Sequence, residues 1–121
     1  MALPRILVLD DDKDLLDMIC VVLQMAGFDP ECIANENQLY PSIAACQPDL
    51  LLMDIYLLAS DGRDLCLGLK NNPLYAKLPV ILYSAGHITA ASIEISKADA
   101  FVVKPFDINK MVEKIRYYLN P

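Results

Sequence analysis

Short runs of apolar residues alternate along the chain with longer amphipathic segments. Three of the runs, residues 6–9, 50–53 and 80–83, contain no charged residue and have the length of a β-strand. A strand without polar alternation is buried on both faces, as strands of parallel sheets are. Two weaker runs, residues 31–34 and 101–103, are predicted to complete the sheet, the first of them at an edge.

The segments between these strands carry apolar residues at helical spacing. Asp12 is a good N-cap for a first helix and Gly27 a good stop. Pro41 lies inside the second predicted helix, residues 37–46, and predicts a late start or a kink there. The third helix is predicted over residues 63–70, a short fourth one within residues 86–98, and a last one after Asp107. The predicted buried faces include Tyr40 in the second helix, and Ala91 and Ile95 in the fourth.

The order βαβαβαβαβα predicts an α/β fold with a doubly wound parallel sheet, right-handed crossovers and helices on both faces. A length of 121 residues, of which 55% are apolar and 21% charged, fits one compact domain over residues 1–121. The last predicted helix ends close to Pro121, so we expect no effector domain in this sequence.

Charge and hydropathy restrict the kinds of partner and the location that this chain can have. The net charge of −6 argues against direct binding of nucleic acid, which needs concentrated Lys and Arg. No apolar stretch approaches the roughly 20 residues of a membrane span, and no signal peptide is visible, so we expect a cytoplasmic protein. The four cysteines have no metal-binding or CxxC spacing and are predicted to be free thiols in a reducing compartment.

Reactive side chains follow four of the predicted strands. Asp10 and its acidic neighbours follow the first, Asp54 the third, Ser84 the fourth and Lys104 the fifth. Because ligands of open α/β sheets bind at the carboxyl edge, we expect these groups to converge there. Clustered carboxylates favour a hard divalent cation such as Mg²⁺, while an ammonium and a hydroxyl suit phosphoryl oxygens. The sequence therefore predicts phosphoryl transfer to a carboxylate.

Taken in order, the motifs resemble those of the receiver domain of two-component response regulators over essentially the whole chain. The matching pieces are ILVLDDD at residues 6–12, PDLLLMD at 48–54, DG at 61–62, PVILYSA at 79–85 and FVVKPF at 101–106. The resemblance implies a flavodoxin-like, CheY-like fold with strand order 2-1-3-4-5. It makes Asp54 the phosphoacceptor, with Mg²⁺ held by Asp11, Asp54 and the backbone carbonyl of Tyr56, and by Asp10 through water.

The same resemblance implies a switch and a set of partners. Ser84 and Phe101 become the switch pair, and Lys104 the phosphate ligand, followed by a cis peptide bond to Pro105. A sensor histidine kinase or a histidine phosphotransfer domain would donate the phosphoryl group. A downstream effector or a second copy of the chain would bind the surface of helix 4, strand 5 and helix 5. The domain would not be an enzyme beyond its own phosphotransfer and autodephosphorylation.

Three departures from the receiver pattern concern the output side. Leu58 stands where a proline is usual, Lys97 stands where a glycine is usual, and the stretch from Ser84 to Lys104 is about two residues shorter. A non-glycine residue in a left-handed conformation costs about 1 kcal/mol. We therefore expect a short or frayed fourth helix. Phe101 has no hydroxyl to hold it at the surface, so its inward position should be populated without phosphate.

Two other functions are compatible with parts of the sequence. An aspartyl phosphohydrolase of the haloacid dehalogenase type would use Asp10 as nucleophile and Asp12 as acid/base, but no matching hydroxyl residue follows Asp12 and no room remains for a cap domain. A flavin-binding module could share the fold. The loop after the first strand is acidic, however, where a flavin phosphate needs Ser, Thr and Gly amides.

Overall fold

A computed structural model describes residues 3–84, 88–103 and 107–119 of the chain. The strands are β1 (Arg5–Leu9), β2 (Asp29–Ile33), β3 (Leu50–Asp54), β4 (Val80–Ser84) and β5 (Ala100–Val103). The helices are α1 (Lys13–Met25), α2 (Leu39–Cys46), α3 (Gly62–Lys70), α4 (Ala90–Ser96) and α5 (Ile108–Leu119), and a short 3₁₀ helix (Glu36–Gln38) precedes α2.

All strand pairs are parallel, and the sheet order is β2-β1-β3-β4-β5. This order confirms the predicted flavodoxin-like fold. Strands β3 and β4 are buried along their whole length, as their uninterrupted apolar sequences require. Strand β2 lies at an edge and contains Pro30, which a central strand would not tolerate.

Two hydrophobic cores cover the two faces of the sheet. Side chains of α1 and α5, among them Ile19 and Ile115, pack on one face against Val8, Leu52 and Ile81. The other face is covered by α2 and α3, with α4 contributing partly buried residues. Because helices cover both faces of the sheet, a ligand can reach the strands only at the ends of the sheet. In folds of this kind the ligand site lies at the carboxyl edge.

The second helix begins late, as Pro41 predicts. The 3₁₀ turn precedes it and places Pro41 in the first turn of α2, where a missing N–H breaks no helical hydrogen bond. The prediction of a buried side chain is wrong at three positions. Tyr40 is 41% exposed, and its ring packs edge-on against Tyr75. In α4, Ala91 is exposed and Ile95 is 69% exposed.

The fourth helix is the shortest α-helix of the described ranges, at 7 residues. It ends at Lys97 in the left-handed conformation, with φ 62°. Both observations confirm the prediction of a short helix with a poor stop. The Lys97 ammonium donates to the Asn71 side-chain carbonyl at 2.9 Å, which ties this strained residue to the end of α3.

The prediction of four free cysteines is wrong for one pair. Cys20 of α1 and Cys32 of β2 form a disulfide, with their Cα atoms 6.7 Å apart. Helix α1 packs beside β2, which brings together two cysteines that are 12 positions apart. This spacing matches no cysteine motif, so the sequence alone does not predict the pair. Cys46 and Cys66 are free, and burial raises the pKa of the Cys66 thiol to about 11.

Among the residues that the structure describes, no helix combines the length and the apolar character needed to cross a bilayer.

Candidate functional site

Three carboxylates meet at the carboxyl edge of the sheet. Strand β1 pairs with β3 so that Leu9 lies opposite Met53, which places the next residues, Asp10 and Asp54, side by side. Asp10, Asp11 and Asp54 each offer an oxygen, and these oxygens lie within 4.8 Å of one another. Asp10 is fully buried and Asp54 is 5% exposed, whereas Asp11 is half-buried. The register of the sheet thus creates a concentrated negative site with one side open to solvent.

Backbone amides orient the two buried carboxylates. The N–H of Asp12 donates to Oδ1 of Asp10 at 2.9 Å, and the N–H of Tyr56 donates to Oδ1 of Asp54 at 3.2 Å. Each bond closes a turn just beyond a strand end. Hydrogen bonds from backbone amides to a carboxylate hold its orientation.

Tyr83 is a site residue that the sequence analysis missed. Its hydroxyl, at the penultimate position of β4, donates to Oδ2 of Asp10 at 2.6 Å. Burial, and then the charge and hydrogen bond of Asp10, raise the pKa of Tyr83, so the phenol remains a neutral donor. A signal was available: a buried tyrosine in an otherwise aliphatic strand needs a partner for its hydroxyl.

The other predicted site residues are placed as follows. Ser84 is fully buried at the end of β4, one residue beyond the Asp54–Tyr83 pair in the sheet register. Phe101 lies opposite Leu82 in β5 and is half-buried against the core on the α2 and α3 side. Lys104 and the following Pro105 lie outside the described residues.

The connection from β3 to α3 is held at its far end by Asp61. Its carboxylate caps α3 by accepting from the N–H of Arg63 at 2.8 Å, and it also binds the guanidinium of Arg63, with the shortest contact at 2.6 Å. These contacts lower the pKa of Asp61. The same guanidinium donates to the Ser92 hydroxyl at 3.3 Å, which links α3 to α4.

The donor set of Asp10, Asp11 and Asp54 fits a hard divalent cation. Mg²⁺ prefers carboxylate and carbonyl oxygens and retains several waters, and it is commonly bound by one or two carboxylates. Within the described ranges, the site has converging oxygen ligands and one half-open side. The chemistry of these residues is therefore compatible with Mg²⁺.

Comparison with known sequences decides the family. The sequence profile of the response regulator receiver domain matches residues 6–116 of the chain. The chain belongs to the response regulator receiver domain family. Receiver domains of this family act in two-component phosphorelay signalling, pair with histidine kinases and typically bind Mg²⁺. The phosphohydrolase alternative based on Asp10 is not favoured.

Curated relatives are longer proteins than this receiver domain. It is 32% identical over 119 residues to the DNA-binding dual master transcriptional regulator RpaA of Synechocystis, covering 97% of this chain and 49% of the relative. It is 33% identical to the phosphate regulon transcriptional regulatory protein PhoB of Pseudomonas aeruginosa, covering 94% of this chain and 51% of that protein. The chain thus spans about half the length of these relatives.

Solved structures support the same fold. A CheY-like response regulator receiver domain protein of Methanospirillum hungatei superposes with a TM-score of 0.87 at 27% identity, covering 98% of this chain and 95% of the other. The chemotaxis response regulator CheY4 of Vibrio cholerae has a TM-score of 0.87 at 17% identity, covering 97% of this receiver domain and 99% of CheY4. The second likeness shows the fold alone.

Proposed function

We propose that residues 1–121 are one receiver domain whose Asp54 accepts a phosphoryl group from a histidine kinase or a histidine phosphotransfer domain. The observation that carries the proposal is the meeting of Asp10, Asp11 and Asp54 at the carboxyl edge of the sheet. Asp54 is a better nucleophile than Asp10 because it ends the central strand and keeps 5% exposure, whereas Asp10 is fully buried.

The transfer is a displacement at phosphorus. A carboxylate oxygen of Asp54 attacks the phosphorus of the donor phosphohistidine, and a new O–P bond forms while the P–N bond breaks. The released imidazole takes up a proton. Positioning and charge neutralisation supply most of the rate in such reactions. The Tyr56 amide, 3.2 Å from Oδ1 of Asp54, holds the attacking carboxylate in place.

Mg²⁺ would be held by Asp11, Asp54 and the backbone carbonyl of Tyr56, with Asp10 contributing through water. When bound, the ion neutralises the clustered carboxylates and screens the oxygens of the incoming phosphoryl group. Asp10 is buried and accepts hydrogen bonds from the Asp12 amide and the Tyr83 hydroxyl, so its role is to shape the site rather than to react.

We propose Ser84 and Lys104 as ligands of the phosphoryl oxygens, and Ser84 with Phe101 as the switch pair. Movement of the Ser84 hydroxyl toward the phosphate would open space for the ring of Phe101, which is already half-buried against the core. The switch would act on the surface formed by α4, β5 and α5. Exposed apolar side chains there, Ile95, Val103 and Tyr117, support a role in binding an effector or a second copy of the chain.

The charge of the chain and its family bear on where the domain acts and what it binds. A net charge of −6 supports a domain that does not itself bind nucleic acid, even though relatives such as RpaA are named as DNA-binding. In those relatives this chain covers about half of the protein. We propose a cytoplasmic protein, in keeping with the kinase partners of the family. Its own activity would be limited to phosphotransfer and autodephosphorylation.

The test is incubation with acetyl phosphate and Mg²⁺, followed by intact-mass measurement. The expected product carries one phosphate and disappears on chelation of the metal. Asp54→Asn should remove the label, whereas Asp12→Asn, which changes an exposed neighbour, should retain it. Labelling that survives Asp54→Asn and is lost in Asp10→Asn would overturn the proposal in favour of Asp10 chemistry.

A further inference from the structure

Tyr83 links two strands that do not pair with each other in the sheet. In the sheet order, β3 lies between β1 and β4, yet the hydroxyl of Tyr83 on β4 reaches Oδ2 of Asp10 just beyond β1. The donor–acceptor distance is 2.6 Å, and both residues are fully buried. A short bond of this kind to a carboxylate is about twice as strong as a neutral one.

The sheet register explains how the ring crosses β3. Tyr83 lies opposite Asp54 in the β3–β4 ladder, so the phenol extends past the end of β3 on the α1 and α5 side. A tyrosine is long enough to span this strand and carry a donor to its far side. Tyr83 is therefore the neighbour of Asp54 in the sheet and at the same time a hydrogen-bond donor to Asp10.

We propose that Tyr83 is a positioning residue that holds the Asp10 carboxylate in the orientation from which it serves the divalent cation. This inference rests on the proposed function, because it assumes that the carboxylate cluster binds Mg²⁺. Asp10 is the member of the cluster assigned to act through water, so the direction of its oxygens decides where that water lies.

The two described donors hold Asp10 from opposite oxygens. The Asp12 amide binds Oδ1 and the Tyr83 hydroxyl binds Oδ2, which fixes the plane of the carboxylate as well as its position. Removal of the Tyr83 hydroxyl takes away the donor that the structure describes on Oδ2 and so weakens the hold on the orientation of the carboxylate. Partners that hold metal ligands in this way change metal affinity by about 10-fold to 100-fold when they are mutated.

Tyr83 also fills the core, so its two roles must be separated. Tyr83→Phe keeps the ring and removes the hydroxyl alone, which leaves the packing volume nearly unchanged. A role in packing predicts lower stability with unchanged Mg²⁺ affinity. A positioning role predicts weaker Mg²⁺ binding that depends on the charge of Asp10.

The experiment is a Mg²⁺ titration by calorimetry on the full chain as wild type, Tyr83→Phe, Asp10→Asn and the double variant. Tyr83→Phe should raise the dissociation constant by about 10-fold or more. In the Asp10→Asn background the same substitution should change it by less than about 2-fold, because the carboxylate is gone. Equal affinities of wild type and Tyr83→Phe overturn the inference, and so does an equal loss in both backgrounds.

A second measurement covers the case in which Tyr83→Phe does not fold. Wild-type protein carrying ¹³C at the tyrosine Cζ is titrated with Mg²⁺, and the Tyr83 resonance should move with the dissociation constant found by calorimetry. Tyr40 and Tyr75 pack edge-on against each other and are not part of the carboxylate cluster, so their resonances should stay in place. A Tyr83 resonance that does not respond, while the calorimetric titration saturates, overturns the inference.

The outcomes also separate this inference from the proposed function. Wild-type protein that binds no Mg²⁺ contradicts the proposed function and the inference together. Wild-type protein that binds Mg²⁺ and accepts phosphate, with Tyr83→Phe binding equally well, contradicts the inference alone.

Discussion

Gly62 lies so close to the end of β3 that a side chain there would collide with the backbone carbonyl oxygen of Asp54. The Cα of Ile55 is 3.0 Å from the position of such a Cβ, and the N–H of Gly62 donates to the Ile55 carbonyl at 2.7 Å. The first residue of α3 is thus packed directly onto the chain that carries the proposed phosphoacceptor. Glycine is needed at this position because a larger residue would collide with the backbone, and not because of an unusual φ angle.

We expect Gly62→Ala to lower both stability and phosphorylation. The new methyl group meets backbone atoms that cannot rotate away, and overpacking of this kind costs about 1–3 kcal/mol. Moving the backbone of Asp54 should also slow labelling by acetyl phosphate. Urea denaturation and intact-mass kinetics measure the two effects.

Gly68 provides the matched control on the same helix. A Cβ at Gly68 would meet only the Tyr40 hydroxyl, at 3.6 Å, among its near neighbours. Gly68→Ala should therefore raise stability by about 0.5–1 kcal/mol, because alanine favours the helix. A Gly62→Ala protein that is as stable and as reactive as wild type would contradict this reading of the β3–α3 junction.

Replacement of Lys97 by glycine should stabilise the protein. Lys97 has φ 62°, a conformation that costs a residue with a Cβ about 1–2 kcal/mol. Part of this gain is offset by the greater freedom of glycine in the unfolded chain, so we expect a net gain of about 0.5 kcal/mol. Thermal unfolding measures it.

Lys97→Ala is the control for the lysine side chain. This substitution removes the hydrogen bond to Asn71 but retains the Cβ. Because the backbone strain remains, Lys97→Ala should not raise the stability of the protein. Hydrogen exchange should also show earlier opening of α4 than of α3, with Lys97→Gly slowing exchange in Ala90–Ser96. Equal stabilities of the glycine and alanine variants would show that the backbone strain is not significant.

The contact between Asp61 and Arg63 predicts a pH dependence of stability. The Arg63 guanidinium lowers the pKa of Asp61 in the folded state below the usual value of about 4. A depressed pKa stabilises the fold above the unfolded value, and this contribution is lost as the pH falls through the folded pKa. Asp61→Asn, which can still cap α3, should cost up to about 1 kcal/mol at pH 7.

The difference between wild type and Asp61→Asn should shrink as the pH falls below about 4. Denaturation with urea at a series of pH values measures it. In a cycle with Arg63→Gln, the two substitutions should be less costly together than the sum of the single changes. A difference that is constant from pH 7 to pH 3 would contradict the electrostatic account.

The carboxylate cluster predicts that Asp11→Asn stabilises the protein in the absence of divalent cations. Three carboxylates with oxygens within 4.8 Å repel one another. Removing the charge of the half-buried Asp11 should raise stability by about 1 kcal/mol or more.

Added Mg²⁺ should stabilise wild type by about 2.7 kcal/mol at 100 times its dissociation constant, and Asp11→Asn by much less at the same concentration. Melting with chelator and with Mg²⁺ tests both halves, and a variant that gains as much from Mg²⁺ as wild type would exclude Asp11 as a ligand.

Much of the fold and the site could be predicted because it depends on local patterns. Apolar runs of strand length end at Asp54 and Ser84, and parallel strands bring such ends to one edge. These features follow from the residue type and a few neighbours along the chain. The poor stop at Lys97 was expected for a different reason, the resemblance to receiver domains, which usually have a glycine there.

The rest depends on which elements pack together. The Tyr83–Asp10 hydrogen bond joins residues 73 positions apart across an intervening strand, and no pattern specifies that pairing. The disulfide of Cys20 and Cys32 likewise needs the packing of α1 beside β2. The exposure of Ile95 was missed because a helix of 7 residues has too few positions to define one face.

The central claim is that Asp54 carries the phosphoryl group, and chemical mapping of the acyl phosphate tests it most directly. The protein is labelled with acetyl phosphate and Mg²⁺, reduced with borohydride, which converts an aspartyl phosphate to homoserine, digested and sequenced by tandem mass spectrometry. The account predicts homoserine at position 54, dependent on Mg²⁺ and absent from Asp54→Asn. Homoserine at position 10 or 11 in wild type, or its appearance without divalent metal, would contradict it.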